Sequence, residues 1–287
     1  MTDDETIFRA AVVGGGTMGA GIAHAMLLAG IDVTLVERDA RTADAARRRV
    51  GVAVDGSVER GIVAGPETLL VRLDVTVDIG RAHDAQIAIE AVPEDLELKI
   101  EALTRLAGVI DERAVIASNT SSISVDALAA AVPHPERVLG MHFFNPVPTS
   151  KLVEVVDGGR TSPETAARAQ DIVRRLGKTP IVVRDSPGFA SSRLGVAIGL
   201  EAIRMLEEDV ASAEDIDAAM MLGYGFPIGP LRLTDLVGLD VRLGIARYLE
   251  SQLGDRFTPP PLLVEMVAAG RLGKKSGRGF YDWATGR

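Results

Sequence analysis

The feature that most restricts the fold is a run of glycines set between an apolar strand pattern and a helical one. Residues 7–13 are short and apolar, suited to a strand buried on both faces, and they lead into Gly14-Gly15-Gly16-Thr17-Met18-Gly19. Residues 17–29 carry small and apolar side chains at helical spacing and close on Gly30, a natural residue just past a helix end. A second strand pattern, 32–36, ends at the acidic Glu37. A phosphate can approach backbone only where side chains are missing, and a helix N-terminus offers N–H donors at the positive end of its dipole. The spacing therefore predicts a dinucleotide site. Gly14 makes the tight turn, Gly16 allows the close approach, and Gly19 lets helix and strand pack, with Thr17 and Met18 in the same cofactor-binding turn. Glu37 follows at about the 20 residues expected of a ribose ligand. A carboxylate there repels a 2′-phosphate and favours NAD over NADP, while the neighbouring Arg38 pulls the other way.

Further strand-like runs follow at 86–91, 114–118, 138–144, 152–156 and 179–183, separated by helical patterns at 40–61, 96–109, 124–131 and 162–176. This alternation predicts an α/β domain over 1–185, a Rossmann-type doubly wound and mostly parallel sheet. The character changes at Asp185-Ser186-Pro187-Gly188, and 186–287 reads as an all-α C-terminal domain. There Ser212 and Asp215 form a capping-box-like start, and Gly223 a stop. Gly229-Pro230 opens one long apolar helix whose Leu231, Leu233, Leu236, Val237, Leu239 and Val241 exceed a single stripe. So much apolar surface predicts a homodimer. Pro259-Pro260-Pro261 reads as a loop.

Composition narrows the function classes. A net charge of −9 argues against general affinity for nucleic acid or an anionic membrane, so a polyanionic ligand needs local cations. The absence of cysteine excludes disulfides, thiolate zinc sites and a catalytic thiol, and no metal is expected. Met1-Thr2-Asp3-Asp4-Glu5 is acidic where a signal peptide is basic and then apolar. No apolar stretch approaches the ~18 residues of a membrane span. A cytoplasmic protein is the expectation.

Of the four histidines, His24 falls inside the first helix as a packed or surface residue, and His83 and His134 sit in polar or proline-flanked turns. His142 interrupts an apolar strand, where an imidazole needs a partner. A core histidine satisfied by backbone would account for it alone, but Glu154 interrupts the next strand in the same way, and an unpaired carboxylate there is costly. The link from Phe144 to Lys151 is too short for a parallel crossover of a dozen or more residues. The two strands are therefore predicted to be antiparallel neighbours that can bring Glu154 to the His142 ring. A carboxylate on one ring nitrogen fixes the tautomer and leaves the other to take a proton, as a general base requires.

Read together, Gly14 to Gly21, Glu90-Ala-Val-Pro-Glu94, Ser118-Asn-Thr-Ser-Ser122, His142-Phe-Phe-Asn-Pro146, Lys151-Leu-Val-Glu-Val155, Ser186-Pro-Gly-Phe189 and Gly273 to Tyr281 resemble the L-3-hydroxyacyl-CoA dehydrogenase family, including its bacterial 3-hydroxybutyryl-CoA members. The resemblance implies an NAD-dependent oxidoreductase for acyl-CoA substrates, with His142 as general base and Glu154 as its orienting partner. It also implies that Ser121 bonds the 3-hydroxyl, that Asn145 helps place substrate and nicotinamide, and that Glu94, Lys99 and Lys275 contact cofactor or CoA. Two departures stand out. Ser192 replaces an asparagine that supports substrate binding in the family. Lysines of the CoA-contacting hairpin are missing, with Arg47, Arg48, Arg49 and Arg60 nearby, although an arginine run on a charged helix is more often a solvated face. These departures keep open a dehydrogenase of free hydroxy acids such as gulonate or carnitine. A protein that binds NAD without catalysis is the rival from another class.

Overall fold

The computed structural model describes residues 9–284, so Ile7 and Phe8 of the first strand pattern and the acidic start 1–5 lie outside the described residues. The chain divides into two compact units, 1–185 and 186–287.

The first unit carries strands β1 (Arg9–Val13), β2 (Asp32–Val36), β3 (Leu73–Thr76), β4 (Ile87–Glu90), β5 (Val115–Ser118), β6 (Val138–Phe143), β7 (Leu152–Asp157) and β8 (Thr179–Arg184). They form one sheet in the order β3-β2-β1-β4-β5-β6-β7-β8. Every pairing is parallel except β6 with β7, where the short 144–151 link forces the antiparallel turn read from the sequence. β4, β5 and β6 are buried throughout, as strands covered on both faces must be.

Between them run α1 (Thr17–Leu28), α2 (Ala40–Glu59), the short α3 (Glu67–Leu70), α4 (Leu96–Ala107), α5 (Val125–Ala129) and α6 (Pro163–Arg175). Strand alternation sends side chains to two cores. Val12, Leu35, Ile89 and Phe143 pack with Ile22, Val50 and Ile172 of α1, α2 and α6. Ala11, Ala88 and Ile116 pack with Leu103 and Leu128 of α4 and α5. The sheet is thus doubly wound. Asp39 caps α2 in a reciprocal box with Thr42, and Asp95 caps α4 by accepting from Leu98 N at 3.0 Å. His24 is fully buried between α1 and α2, with Nε2 3.0 Å from Ser57 Oγ. Burial, then the nearby Arg60 charge, hold its pKa below the ordinary value, so it packs as a neutral ring.

The second unit is helical: α7 (Ser191–Glu207), α8 (Ala213–Ala218), α9 (Pro230–Val237), α10 (Leu239–Leu253) and α11 (Pro261–Ala268). Leu200, Ile203, Leu231, Leu243, Leu249 and Leu263 form its core. Ser212 caps α8 through Asp215 N, and a π-helical turn at Ala219–Gly223 ends it at the expected glycine. Two expectations are corrected. The single long helix after Gly229 is two, because Gly238 takes φ of 102°, a conformation that breaks the helix and suits glycine alone. The proline cluster is not all loop, since Pro261 opens α11, where its missing N–H is harmless.

Candidate active site

The parallel strands end together. Val13, Glu90, Ser118 and Gly140 stand in register across β1, β4, β5 and β6, and chain order reverses between β1 and β4. Ligands of doubly wound sheets bind outside such carboxyl ends, and the candidate residues of the first unit gather there.

Beside β1, Gly14 has φ of 94°, and a Cβ on it would come 2.8 Å from Ala91 O. A Cβ on Gly19 would overlap the Gly14 carbonyl oxygen, so strand and helix touch there, whereas one on Gly16 would meet nothing within 4 Å. Gly16 is also the α1 N-cap and makes no side-chain cap bond, which leaves that end open to an anion. Thr17 and Met18 are the first residues of α1. Glu37 stands at the end of β2 and accepts from Gly15 N at 2.7 Å, which fixes a carboxylate against the glycine turn. This cradle fits the pyrophosphate and ribose of a dinucleotide.

The next group was only half seen in the sequence. Glu90, fully buried at the end of β4, accepts from Lys99 Nζ at 2.9 and 3.1 Å, from Val92 N at 2.6 Å and from Ser118 Oγ at 2.5 Å. Lys99 also reaches Glu94 at 3.2 Å and Val92 O at 3.3 Å. Glu94 Oε1 in turn gathers the 120–122 strap, accepting from Thr120 Oγ1 at 2.7 Å, Ser121 N at 2.9 Å and Ser122 N at 3.0 Å. Burial pushes the Glu94 carboxyl up, but the Lys99 ammonium and these bonds outweigh it and hold it below the ordinary carboxylate range. Of the two residues expected to touch cofactor or CoA here, Glu94 has open surface. Lys99, 1% exposed, supports it from beneath. Glu90 carried the same signal as Glu154, a carboxylate inside an apolar strand, and could have been found by it.

His142 and Glu154 face each other directly across β6 and β7. Nδ1 of His142 lies 2.7 Å from Oε2 of Glu154, and the carboxylate is fully buried. A carboxylate only accepts, so Nδ1 carries the proton in this pair. The Phe144 ring packs on the imidazole at 4.6 Å between centroids. One residue past His142, Phe143 N donates to Asn119 Oδ1 at 2.9 Å, tying the strand to the segment that carries Ser121.

Asn145 follows on a loop whose carbonyls at Val147 and Ser150 each accept from the buried Lys178 Nζ at 2.6 Å. Burial pushes that ammonium's pKa down. The same loop, with α1 and α2, walls a cleft of about 610 Å³ bordered by Thr17, Gly21, Arg48, Arg49, Asn145 and Pro146. The arginine run is exposed as expected, but Arg49 also donates to Gly15 O at 3.0 Å and Arg47 to Val75 O at 3.1 Å. Two predicted site residues belong to the second unit. Ser192 is the second residue of α7, and Lys275 pairs with Asp240 at 2.5 Å.

The descriptions "3-hydroxyacyl-CoA dehydrogenase, NAD binding domain" and "3-hydroxyacyl-CoA dehydrogenase, C-terminal domain" match residues 9–186 and 188–283. A 3-hydroxybutyryl-CoA dehydrogenase of Mycobacterium tuberculosis is 44% identical, over 97% of this chain and 99% of that protein. The 3-hydroxyadipyl-CoA dehydrogenase of Escherichia coli is 42% identical, over 96% of this chain and 59% of that longer protein. The crystal structure of (S)-3-hydroxybutyryl-CoA dehydrogenase PaaH1 from Ralstonia eutropha superposes with a TM-score of 0.91 at 39% identity, covering 97% of this chain and 99% of that one. The chain belongs to the 3-hydroxyacyl-CoA dehydrogenase family.

Proposed function

We propose that the protein interconverts (S)-3-hydroxyacyl-CoA and 3-oxoacyl-CoA with NAD, using His142 as the general base. The observation that carries this reading is the 2.7 Å bond between His142 Nδ1 and the buried Glu154, near the carboxyl end of β6, as the glycine turn lies at the carboxyl end of β1. Bound NAD⁺ supplies the acceptor for the hydride that leaves C3. His142 Nε2 takes the hydroxyl proton as the C3–H bond breaks and the carbonyl forms, and Glu154 stabilises the resulting imidazolium. Ser121 hydrogen-bonds the substrate oxygen, and Asn145 orients substrate and nicotinamide. Gly14, Gly16, Thr17, Met18 and Gly19 hold the pyrophosphate, and Glu37 holds the ribose. Glu94, backed by Lys99, and Lys275 complete the cofactor contacts, and Ser192 serves the substrate. Arg48 and Arg49, exposed on the 610 Å³ cleft, suit the phosphates of CoA.

The relatives' names include a neutral acyl chain, 3-hydroxybutyryl, and a dicarboxylic one, 3-hydroxyadipyl. We also propose a homodimer: Leu194, Leu233, Leu236, Val237 and Val241 are exposed on the helical unit, and a second copy would cover them. No helix among the described residues is long and apolar enough to cross a membrane, in keeping with a proposed cytoplasmic location.

Loss of NADH absorbance with acetoacetyl-CoA and with free acetoacetate tests the reading. Turnover is expected with the thioester and not with the free acid. The reverse result would transfer the protein to the free hydroxy-acid dehydrogenases. NADH binding without turnover of either would leave a non-catalytic protein.

A further inference from the structure

Lys178 is 8% exposed, and its Nζ donates to two backbone carbonyls, Val147 O and Ser150 O, each at 2.6 Å. The end of α6 explains why a lysine lies inside. Gly177 takes φ of 69° and its N–H donates to Arg174 O at 2.9 Å, while Lys178 N donates to Val173 O at 3.1 Å. These two bonds make a Schellman turn, whose last residue folds its side chain back onto the helix, a place usually filled by an apolar group. An ammonium carried there leaves water behind and needs acceptors. Both of its acceptors belong to the loop between β6 and β7.

That loop is held from two sides. Val147, 2% exposed, seats against α1 where Gly21 leaves it room: a Cβ on Gly21 would come 2.9 Å from Val147 Cβ and 3.0 Å from its Cγ2. From the turn before β8, Lys178 holds the carbonyl of the same Val147. Within the loop, Thr149 N and Ser150 N both donate to Pro146 O, at 3.2 and 3.0 Å, so the segment moves as one piece. Asn145, Pro146 and Pro148 are exposed and, with Val147, border the 610 Å³ cleft beside Thr17 and Gly21 of α1. The N-terminus of that helix is the end left open to an anion. The Val147 peg and the Lys178 ammonium together set where Asn145 stands against the cofactor helix.

We propose that Lys178 is a positioning residue of the dehydrogenase: by clamping the β6–β7 loop against α1, it sets where Asn145 meets substrate and nicotinamide. The inference rests on the dehydrogenase reading and deepens it, adding a buried residue that acts through an exposed one. Removing the ammonium leaves two carbonyls without their donor and frees the loop to shift. A shift of about 1 Å at a group that orients the reactants is enough to cost about 10²-fold in rate.

The test follows NADH oxidation by acetoacetyl-CoA on the full chain, beside a fluorescence titration of NADH. Lys178→Met is expected to lower kcat/KM for acetoacetyl-CoA by about 10- to 100-fold, the range for misplaced reactants, while Kd for NADH stays near the wild-type value. Gly21→Ala crowds Val147 from the α1 side and should give the same pattern, which keeps the test decisive if Lys178→Met fails to fold. A double-variant cycle separates positioning from general support. In an Asn145→Ala background, Lys178→Met should cost little more, because the group it places is already gone. Wild-type kcat/KM in Lys178→Met, or in Gly21→Ala where the first variant does not fold, overturns the proposal. So do losses that multiply in the double variant, or an NADH affinity that falls as far as turnover, since either makes the lysine a general support of the fold. No turnover of acetoacetyl-CoA by the wild type removes the dehydrogenase reading itself, a result distinct from unchanged turnover in the variants.

Discussion

His142→Gln is expected to lower kcat for acetoacetyl-CoA reduction by about 10²–10⁴-fold, the range for loss of a positioned general acid–base. Glutamine preserves much of the volume and can still donate to Glu154, so the fully buried carboxylate keeps a partner and the β6–β7 pairing stays intact. What it lacks is a nitrogen that both accepts and returns a proton. NADH affinity should stay near the wild-type value, since the glycine turn, Glu37 and the α1 N-terminus belong to other elements. Stopped-flow turnover beside a fluorescence titration of NADH separates the two quantities. A variant that turns over like the wild type would remove His142 from the chemistry. A variant that loses NADH as well would make its role structural.

The second large effect is on stability. Lys99→Met is expected to lower unfolding free energy by about 3–5 kcal/mol, the usual result of removing one partner of a buried ion pair. Glu90 is fully buried and would keep only Val92 N and Ser118 Oγ as donors, too few to hold a carboxylate away from water. The damage should spread to Glu94, whose carboxylate is held down in part by Lys99 and gathers Thr120, Ser121 and Ser122. Denaturant unfolding of the full chain measures this, and the double variant Lys99→Met/Glu90→Gln should recover part of the loss. A cost below about 1 kcal/mol would place the pair among weak surface bridges.

Most of the fold was legible because strands covered on both faces are written as continuous apolar runs. His142 and Glu154 were legible for the converse reason: each is a polar exception inside such a run, and the brevity of the link between them fixed their pairing. β3 escaped because it is a four-residue edge strand, Leu73-Asp74-Val75-Thr76, with half its residues polar. The break at Gly238 escaped because apolar periodicity runs on through it, and only the backbone dihedral marks the turn. The burial of Lys99 has a nonlocal cause. On α4, Leu96 is 43% and Leu98 45% exposed while Lys99 is buried. The carboxylate that draws Lys99 inward sits on β4, and no periodicity within α4 can announce it.

The account stands most directly on the structure of a ternary complex with NAD and acetoacetyl-CoA. The 3-oxo oxygen should lie within about 3.2 Å of His142 Nε2, hydrogen-bond distance, with Nδ1 still on Glu154 and C3 facing the nicotinamide ring. An oxygen bonded to some other group, or a ring swung away from Glu154, would contradict it.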